Sequence, residues 1–256
     1  MIYKLKDNRL VLQLLYEDCV RYAEEISLIE EDYLWPDVSV YVDNPQSIKS
    51  FLIVSLASFN GTEKNLSAYV FAEDACMIQE FASTLESKRG FRMHLQTAAE
   101  NEIHVKRLMK WLPKTYTVRY CRADSNTFKP YYIHKDRAVR LTPDNIRSLQ
   151  PSASPHFMKR METALVYGYV TENGKLVGTS GVGFLNKKSF VISFTQTQPE
   201  YRNKGIAKCL TSLASTLLIN NGLIGVYSAD ATNEPSLRVA KALGFVPHCD
   251  LMCFHN

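Results

Sequence analysis

One turn restricts the fold more than any other part of the sequence. Phe190 to Thr197 reads as a strand. Gln198-Pro199-Glu200-Tyr201-Arg202-Asn203-Lys204-Gly205-Ile206-Ala207 follows, and a helix then runs from about Lys204 to Asn221. Its apolar positions Ile206, Leu210, Leu213 and Leu217 recur at helical spacing, and Gly222 closes it. A strand that enters a helix through a basic, glycine-bearing turn leaves several backbone N–H groups unpaired at the positive end of the helix dipole, which suits a phosphate or diphosphate. Gly205 allows close approach of the backbone, small Ala207 keeps bulk away, and Arg202 and Lys204 add charge. On the turn alone, a solvated basic helix start that holds no ligand is the competing reading.

The rest of the chain shows two stretches of differing rhythm. The first opens with a helical pattern from about Arg9 to Glu31, ended by Trp35-Pro36. Strand signals follow at Val38 to Val42, Phe51 to Val54 and Tyr69 to Phe71, with Asn60-Gly61 as a turn. Asp74 caps a predicted helix whose Ile78, Phe81, Ala82 and Leu85 share a face, stopped by Gly90. A second helix carries Val105, Leu108, Met109 and Leu112, and a strand spans Tyr116 to Cys121. Between Arg122 and Lys135 the pattern gives way to Asp, Ser, Asn, Thr and Pro, interrupted by Tyr131 and Tyr132. This places a first α/β domain at 1–125, a partly docked linker at 126–136 and a second domain at 137–256.

The second domain is sharply punctuated. Ala138 to Leu141 is a strand, and Thr142-Pro143-Asp144 and Ser154-Pro155 are helix starts with a hydroxyl cap and proline in the first turn. Leu165 to Thr171 and Lys175 to Phe184 form a hairpin around Asn173-Gly174. After the long helix come a strand at Leu223 to Ser228, a helix at Glu234 to Leu243 and a strand at Val246 to Phe254. The order predicts an α/β (α+β) fold with a mixed central sheet flanked by helices.

Composition narrows the function classes. The 256 residues carry 30 Lys and Arg against 26 Asp and Glu, and a net charge of +4 spread along the chain predicts no nucleic-acid footprint. No apolar run is long enough to span a bilayer, and the charged amino terminus does not resemble a signal peptide, so no membrane partner and a cytoplasmic location are expected. Cys19, Cys76, Cys121, Cys209, Cys249 and Cys253 lack framework spacing and are expected as reduced thiols. His248, Cys249, Cys253 and His255 sit on one short terminal strand, which does not wrap a tetrahedral ion without a sharp bend; no metal is expected.

Arg202, Gly205 and Ala207, preceded by Pro199-Glu200-Tyr201, resemble motif A of the GNAT superfamily of N-acetyltransferases: Arg or Gln, two residues, Gly, one residue, then Gly or Ala. Downstream, Asn233-Glu234-Pro235-Ser236-Leu237-Arg238-Val239-Ala240-Lys241-Ala242-Leu243-Gly244-Phe245 looks like the family's Asn-led helix ending in Leu-Gly-Phe. The resemblance covers about Arg137 to Asn256 in matching element order, and implies the acyl-CoA N-acyltransferase fold with acetyl-CoA as cosubstrate. By that resemblance Arg202, Asn203, Lys204, Gly205, Ile206 and Ala207 would hold the diphosphate. Thr195, Gln196 and Thr197 would pair with the pantetheine arm as an added strand, leaving a free N–H near Thr195 for the thioester carbonyl. Asn233 would contact the pantetheine or the departing sulfur.

The expected reaction is transfer of an acetyl group to a primary amine of a small molecule or amino acid. A longer acyl-CoA donor and a CoA-binding sensor without catalysis are the alternatives. A thiol with pKa about 8.5 costs only ~2 kcal/mol to release as an anion at pH 7, whereas a lysine-type amine costs roughly 4–5 kcal/mol to deprotonate. The family's Tyr acid is replaced by Ala240 and its Glu base by Ser228. Ser236, on the motif helix, is the candidate catalytic donor to the thiolate, beside the alternative of a small residue chosen for packing. Asp230 is expected as a turn residue and Tyr227 as half-buried sheet; Glu162, His134 and His156 are unplaced candidates for a base. The first domain resembles a degenerate GNAT-like half, with Glu73 and Asp74 where an anion site needs Gly and basic residues. The layout is similar to that of glycine N-acyltransferase-like proteins, and the first domain is expected to wall the acceptor pocket. The oligomeric state is not legible.

Overall fold

The computed structural model describes residues 2–31, 37–59, 63–72, 74–86, 92–98, 101–110, 112–149, 161 and 165–255. The expected breaks at Trp35-Pro36, Asn60-Gly61 and Gly90, the helix start at Ser154-Pro155, and Glu73, His156 and Glu162 lie outside the described residues. The chain divides into two compact units. One is formed by Met1–Arg119, Asp230–Thr232 and Cys249–Asn256, the other by Tyr120–Ala229 and Asn233–His248. The stretch read as a linker therefore belongs wholly to the second unit, and the chain's last residues return to the first.

The elements run in the order β1 (Tyr3–Lys4), α1 (Leu12–Leu15), α2 (Ala23–Glu30), β2 (Val38–Val42), β3 (Phe51–Phe59), β4 (Glu63–Phe71), α3 (Ala75–Glu86), β5 (Arg92–Ala98), α4 (Glu102–Leu108) and β6 (Lys114–Ala123). Then come β7 (Ala138–Arg140), α5 (Pro143–Leu149), β8 (Val166–Val170), β9 (Leu176–Leu185), β10 (Ser189–Thr197), α6 (Ile206–Asn220), β11 (Ile224–Asp230), α7 (Glu234–Ala242) and β12 (Val246–His255). Among the described residues no helix is long and apolar enough to cross a membrane.

In the first unit β1 to β4 pair antiparallel in sequence, and β4 and β5 pair in parallel. That parallel pair stays closed through Val70 opposite Thr97. Asp74 caps α3 through a bond from Met77 N at 2.9 Å, and Ile78, Phe81, Ala82 and Leu85 are buried together with Leu66, Ala68 and Leu95. The predicted long first helix is broken instead. Asp18 Oδ1 accepts from Val20 N at 3.3 Å and Arg21 N at 3.0 Å, so a carboxylate competes for the backbone and the chain turns before α2.

Two carboxylates of α2 face inward: Glu24 is 8% exposed and Glu25 4%. The Tyr69 hydroxyl donates to Glu24 Oε2 at 3.2 Å, whereas Glu25 Oε2 is buried and, among the described residues, has no hydrogen-bond partner. Burial, and next the charge of Glu24, push the Glu25 pKa from 4.5 to about 8, against the smaller opposing pull of a backbone hydrogen bond and Arg21. A carboxyl whose folded pKa is raised keeps its proton in the native state after the unfolded chain has lost it. Its contribution is thus intact below pH 4.5 and is lost progressively as pH rises towards about 8. Glu25→Gln is expected to flatten that slope and to stabilise the protein at pH 8 by at least about 1 kcal/mol. Urea unfolding at pH 5 and pH 8 checks it; a variant that loses as much stability as the parent between the two refutes the assignment.

In the second unit the strand order is β11-β10-β9-β8-β7, antiparallel from β10 to β7, with β10 and β11 parallel. The hairpin turns at Gly174, with φ 76°, as its Asn-Gly predicts. The α6 helix buries only half of the face expected of it, Ile206 and Leu210 but not Leu213 and Leu217. Leu217 is 57% exposed and Leu213 half-buried, while Ile206, Leu210, Ala214 and Ile219 are buried with Cys209, Thr211, Ser212 and Ser215. Thr211 is accommodated on the inner face by polar partners: Ser180, Thr195 and Thr211 hydroxyls form a closed ring at 2.9, 3.0 and 3.3 Å.

Candidate functional site

The site is built where β10 parts from β11. Their parallel register covers only Ser189 to Ile192, ending at Ile192 opposite Tyr227. On its other edge β10 stays paired with β9, through a bulge at Ser193, as far as Thr197 opposite Gly178. The parity of that ladder decides which backbone groups are left over. Gln198 N donates to Val177 O at 2.8 Å, so the bonded pairs of the antiparallel ladder fall at Gln198, Gln196 and Phe194. Thr195 and Thr197 therefore direct their N–H and C=O groups away from β9, into the gap that β11 has vacated. The Thr195 hydroxyl is meanwhile committed to the ring with Ser180 and Thr211, so what Thr195 offers the gap is main chain.

Beyond Thr197 the turn takes its shape from two left-handed residues, Asn203 with φ 61° and Gly205 with φ 82°. Gly205 is the N-cap of α6 and provides no side-chain cap. The first helical bond runs from Cys209 N to Gly205 O, so the N–H groups of Ile206, Ala207 and Lys208 have no acceptor within the helix. Arg202 Nε donates to Thr197 O at 3.1 Å, tying the turn to the strand end. The gap and the turn open into one cavity of about 1700 Å³. Its wall carries Lys175, Arg202, Lys204, Lys208 and Arg238 and, among the described residues, no carboxylate. An anionic ligand is what such a wall attracts.

All the residues expected at the site line this cavity, Thr195, Gln196, Thr197, Arg202, Asn203, Lys204, Gly205, Ile206, Ala207, Asn233 and Ser236 alike. Their parts differ from the expectation in three respects. Gln196 spends its backbone on β9, so only its side chain faces the cavity side of the ladder. Asn233 is the N-cap of α7, its Oδ1 accepting from Ser236 N at 3.2 Å. And the space freed by the missing Cβ of Gly205 is taken by protein: a Cβ there would sit 2.6 Å from Tyr131 Oη.

Ser236 is not alone. Its Oγ lies 2.9 Å from the hydroxyl of Tyr227, whose ring is buried against Phe245 in a cluster that includes Ala240. Tyr227 was expected to be half-buried sheet; it is 2% exposed, yet its hydroxyl end reaches the cavity wall. Of the other titratable candidates, Asp230 is not itself a turn residue but ends β11, its carboxylate accepting across the following turn from Thr232 Oγ1 at 2.6 Å and Thr232 N at 2.7 Å, bonds that hold its pKa below the ordinary value. His134 Nε2 lies 2.8 Å from Lys204 O, an acceptor, and so carries a proton there and donates it. Among the described residues no group of three His, Cys, Asp or Glu side chains is placed to hold a metal, and burial pushes the Cys249 and Cys253 thiols up to about 12.

The segment 124–137 contributes more than sequence composition suggested. Tyr131 N donates to Ser212 Oγ at 2.8 Å, and Lys129 N to Leu243 O at 2.9 Å. The backbone carbonyl of Thr127 fills the space beside Gly244, φ 82°, where a Cβ would approach within 1.9 Å. The glycine of the Leu-Gly-Phe helix end is required there for both its backbone angle and its lack of bulk.

Residues 164–254 match the GNAT acetyltransferase family. No curated protein matches the chain. Several solved structures share the fold. A Drosophila protein from a structural genomics programme is 13% identical, with TM-score 0.71, covering 100% of this chain and 98% of its own. A GCN5-related N-acetyltransferase from Sphaerobacter thermophilus is 12% identical, with TM-score 0.62 and coverage of 100% and 95%. A tandem GNAT protein from the clavulanic acid biosynthesis pathway is 13% identical, with TM-score 0.59 and coverage of 100% and 98%.

Proposed function

We propose, for a chain whose residues 164–254 match the GNAT acetyltransferase family, that acetyl-CoA is the donor and a primary amine of a small molecule or amino acid the acceptor. The observation that carries this reading is the edge of β10. Thr195 presents its backbone N–H and C=O, and Thr197 its N–H, to a gap without a strand, and the gap leads into a turn whose first amides have no acceptor within the helix and whose wall carries cations. A pantetheine arm is an amide-bearing chain of the right character to fill the missing strand position, and its diphosphate matches the amides of Ile206, Ala207 and Lys208.

In this arrangement the N–H of Thr195 donates to the thioester carbonyl oxygen as negative charge develops there. The amine nitrogen attacks the carbonyl carbon, the C–S bond breaks, and the amine's proton passes to water. The sulfur leaves towards Ser236, which donates a hydrogen bond through Oγ while Tyr227 donates to Ser236 in turn. Because a thiolate of pKa about 8.5 lies only ~2 kcal/mol uphill at pH 7, a hydrogen bond to sulfur is sufficient and a complete proton transfer is not required. Ser236 stands in the first turn of α7, where the helix dipole also favours a departing anion.

Calorimetry with acetyl-CoA, followed by a thiol-release assay across a panel of amines, tests the reading. Micromolar binding and amine-dependent release of CoA are expected. No binding at high micromolar concentration sinks it. Binding without amine-dependent turnover replaces it with a CoA sensor, and faster release from longer acyl donors replaces acetyl with a larger group.

A further inference from the structure

We infer that Tyr131, on the segment between β6 and β7, is a phosphate-binding residue of the acyl-carrier site. The inference rests on the acyl-CoA reading above and adds to it a side chain from outside both sequence motifs. Three contacts hold this segment on α6 and the turn before it: Tyr131 N to Ser212 Oγ at 2.8 Å and the Tyr132 hydroxyl 3.4 Å from Thr216 Oγ1 on the helix, and His134 Nε2 donating to Lys204 O at 2.8 Å on the turn. The Tyr131 ring borders the cavity, and its hydroxyl lies against Gly205, the residue at which the amide turn begins. Gly205, the N-cap, brings no side chain of its own to the helix end. The phenol thus stands at the same helix end as the unpaired amides and offers one more donor to whatever anion they bind.

Lys208 sharpens that donor. Its Nζ sits 4.4 Å above the Tyr131 ring centroid, and a cation over an aromatic face draws electron density from the ring and strengthens the O–H as a donor. The ligand chemistry is a phosphate ester oxygen, supplied either by the diphosphate or by the ribose 3′-phosphate of the carrier. Its place beside Gly205 favours the diphosphate.

Calorimetry of the parent and of Tyr131→Phe against acetyl-CoA, 3′-dephospho-acetyl-CoA and S-acetylpantetheine decides the matter. The variant keeps the ring and its contact with Lys208. It is expected to bind the first two about tenfold or more weakly, as loss of a hydrogen bond to a charged acceptor predicts, and acetylpantetheine as the parent does. Weakening seen only with acetyl-CoA keeps the phosphate contact and assigns it to the 3′-phosphate. Equal affinity of variant and parent for all three overturns the inference and leaves the acyl-CoA reading standing, and equal weakening on all three does the same. A parent protein that binds none of the three removes both.

Discussion

Ala207→Glu is expected to weaken acetyl-CoA binding about a thousandfold while leaving the melting temperature unchanged or slightly raised. Ala207 lies in the first turn of α6, its N–H without a helical acceptor and its side chain on the cavity wall. A carboxylate there meets the diphosphate at close range, and two like charges about 4 Å apart at an effective dielectric near 20 repel by about 4 kcal/mol, roughly three orders of magnitude in affinity. The same carboxylate sits at the positive end of the helix dipole, where an acid is stabilising. Binding and stability are thus predicted to move in opposite directions, which a general loss of structure does not produce. Ala207→Gln, of equal bulk and no charge, is the control and is expected to lose far less. Binding by Ala207→Glu within a few-fold of the parent refutes the cradle, and so does a Gln variant that fails equally.

The second large effect concerns turnover. Ser236→Ala is expected to lower kcat about a hundredfold with little change in the affinity for acetyl-CoA, because its hydroxyl meets charge that appears only as the C–S bond breaks. Tyr227→Phe, which removes the partner 2.9 Å behind it, is expected to cost about tenfold. If the two hydroxyls act as a unit, the double variant is no slower than Ser236→Ala alone. Stopped-flow thiol release on the three variants reads this out. Additive losses separate the pair, and an unchanged kcat in Ser236→Ala dismisses it.

Much of the second unit was legible in the residues because its signals are local. Thr142-Pro143, Asn173-Gly174 and Gly222 each mark a helix or strand end through their own backbone chemistry, and β7, α5, the β8–β9 hairpin and α6 fall where those signals put them. The turn after Thr197 was legible for the same reason. What escaped was non-local. Tyr131 and His134 reach Ser212 and Lys204 across 81 and 70 residues, from a stretch whose Asp, Asn, Ser and Thr content reads as a linker. The adjacent aromatic pair Tyr131-Tyr132 was the one hint of docking. Leu213 and Leu217 of α6 lie off the core although period alone assigns them to it, whereas Thr211 is buried in the hydroxyl ring beneath the helix and Ser212 under the bond from Tyr131 N. The break before α2 follows from a single carboxylate, Asp18, that outcompetes a helical pattern. Ser236 was visible on its motif; its coupling to Tyr227 joins a strand to a helix and has no sequence period.

The commitment of the Thr195 hydroxyl to its buried ring has a consequence for how such a protein tolerates change. A ligand edge made of peptide groups is indifferent to the side chains attached to it, provided the strand keeps its register and its neighbour keeps its distance. Substitution can then run through most of the surface without disturbing that edge, and solved structures only 12–13% identical share the fold. What must persist is a handful of residues that hold the shape: a glycine that accepts a left-handed turn, hydroxyls that pin a strand, and a helix that begins where it does.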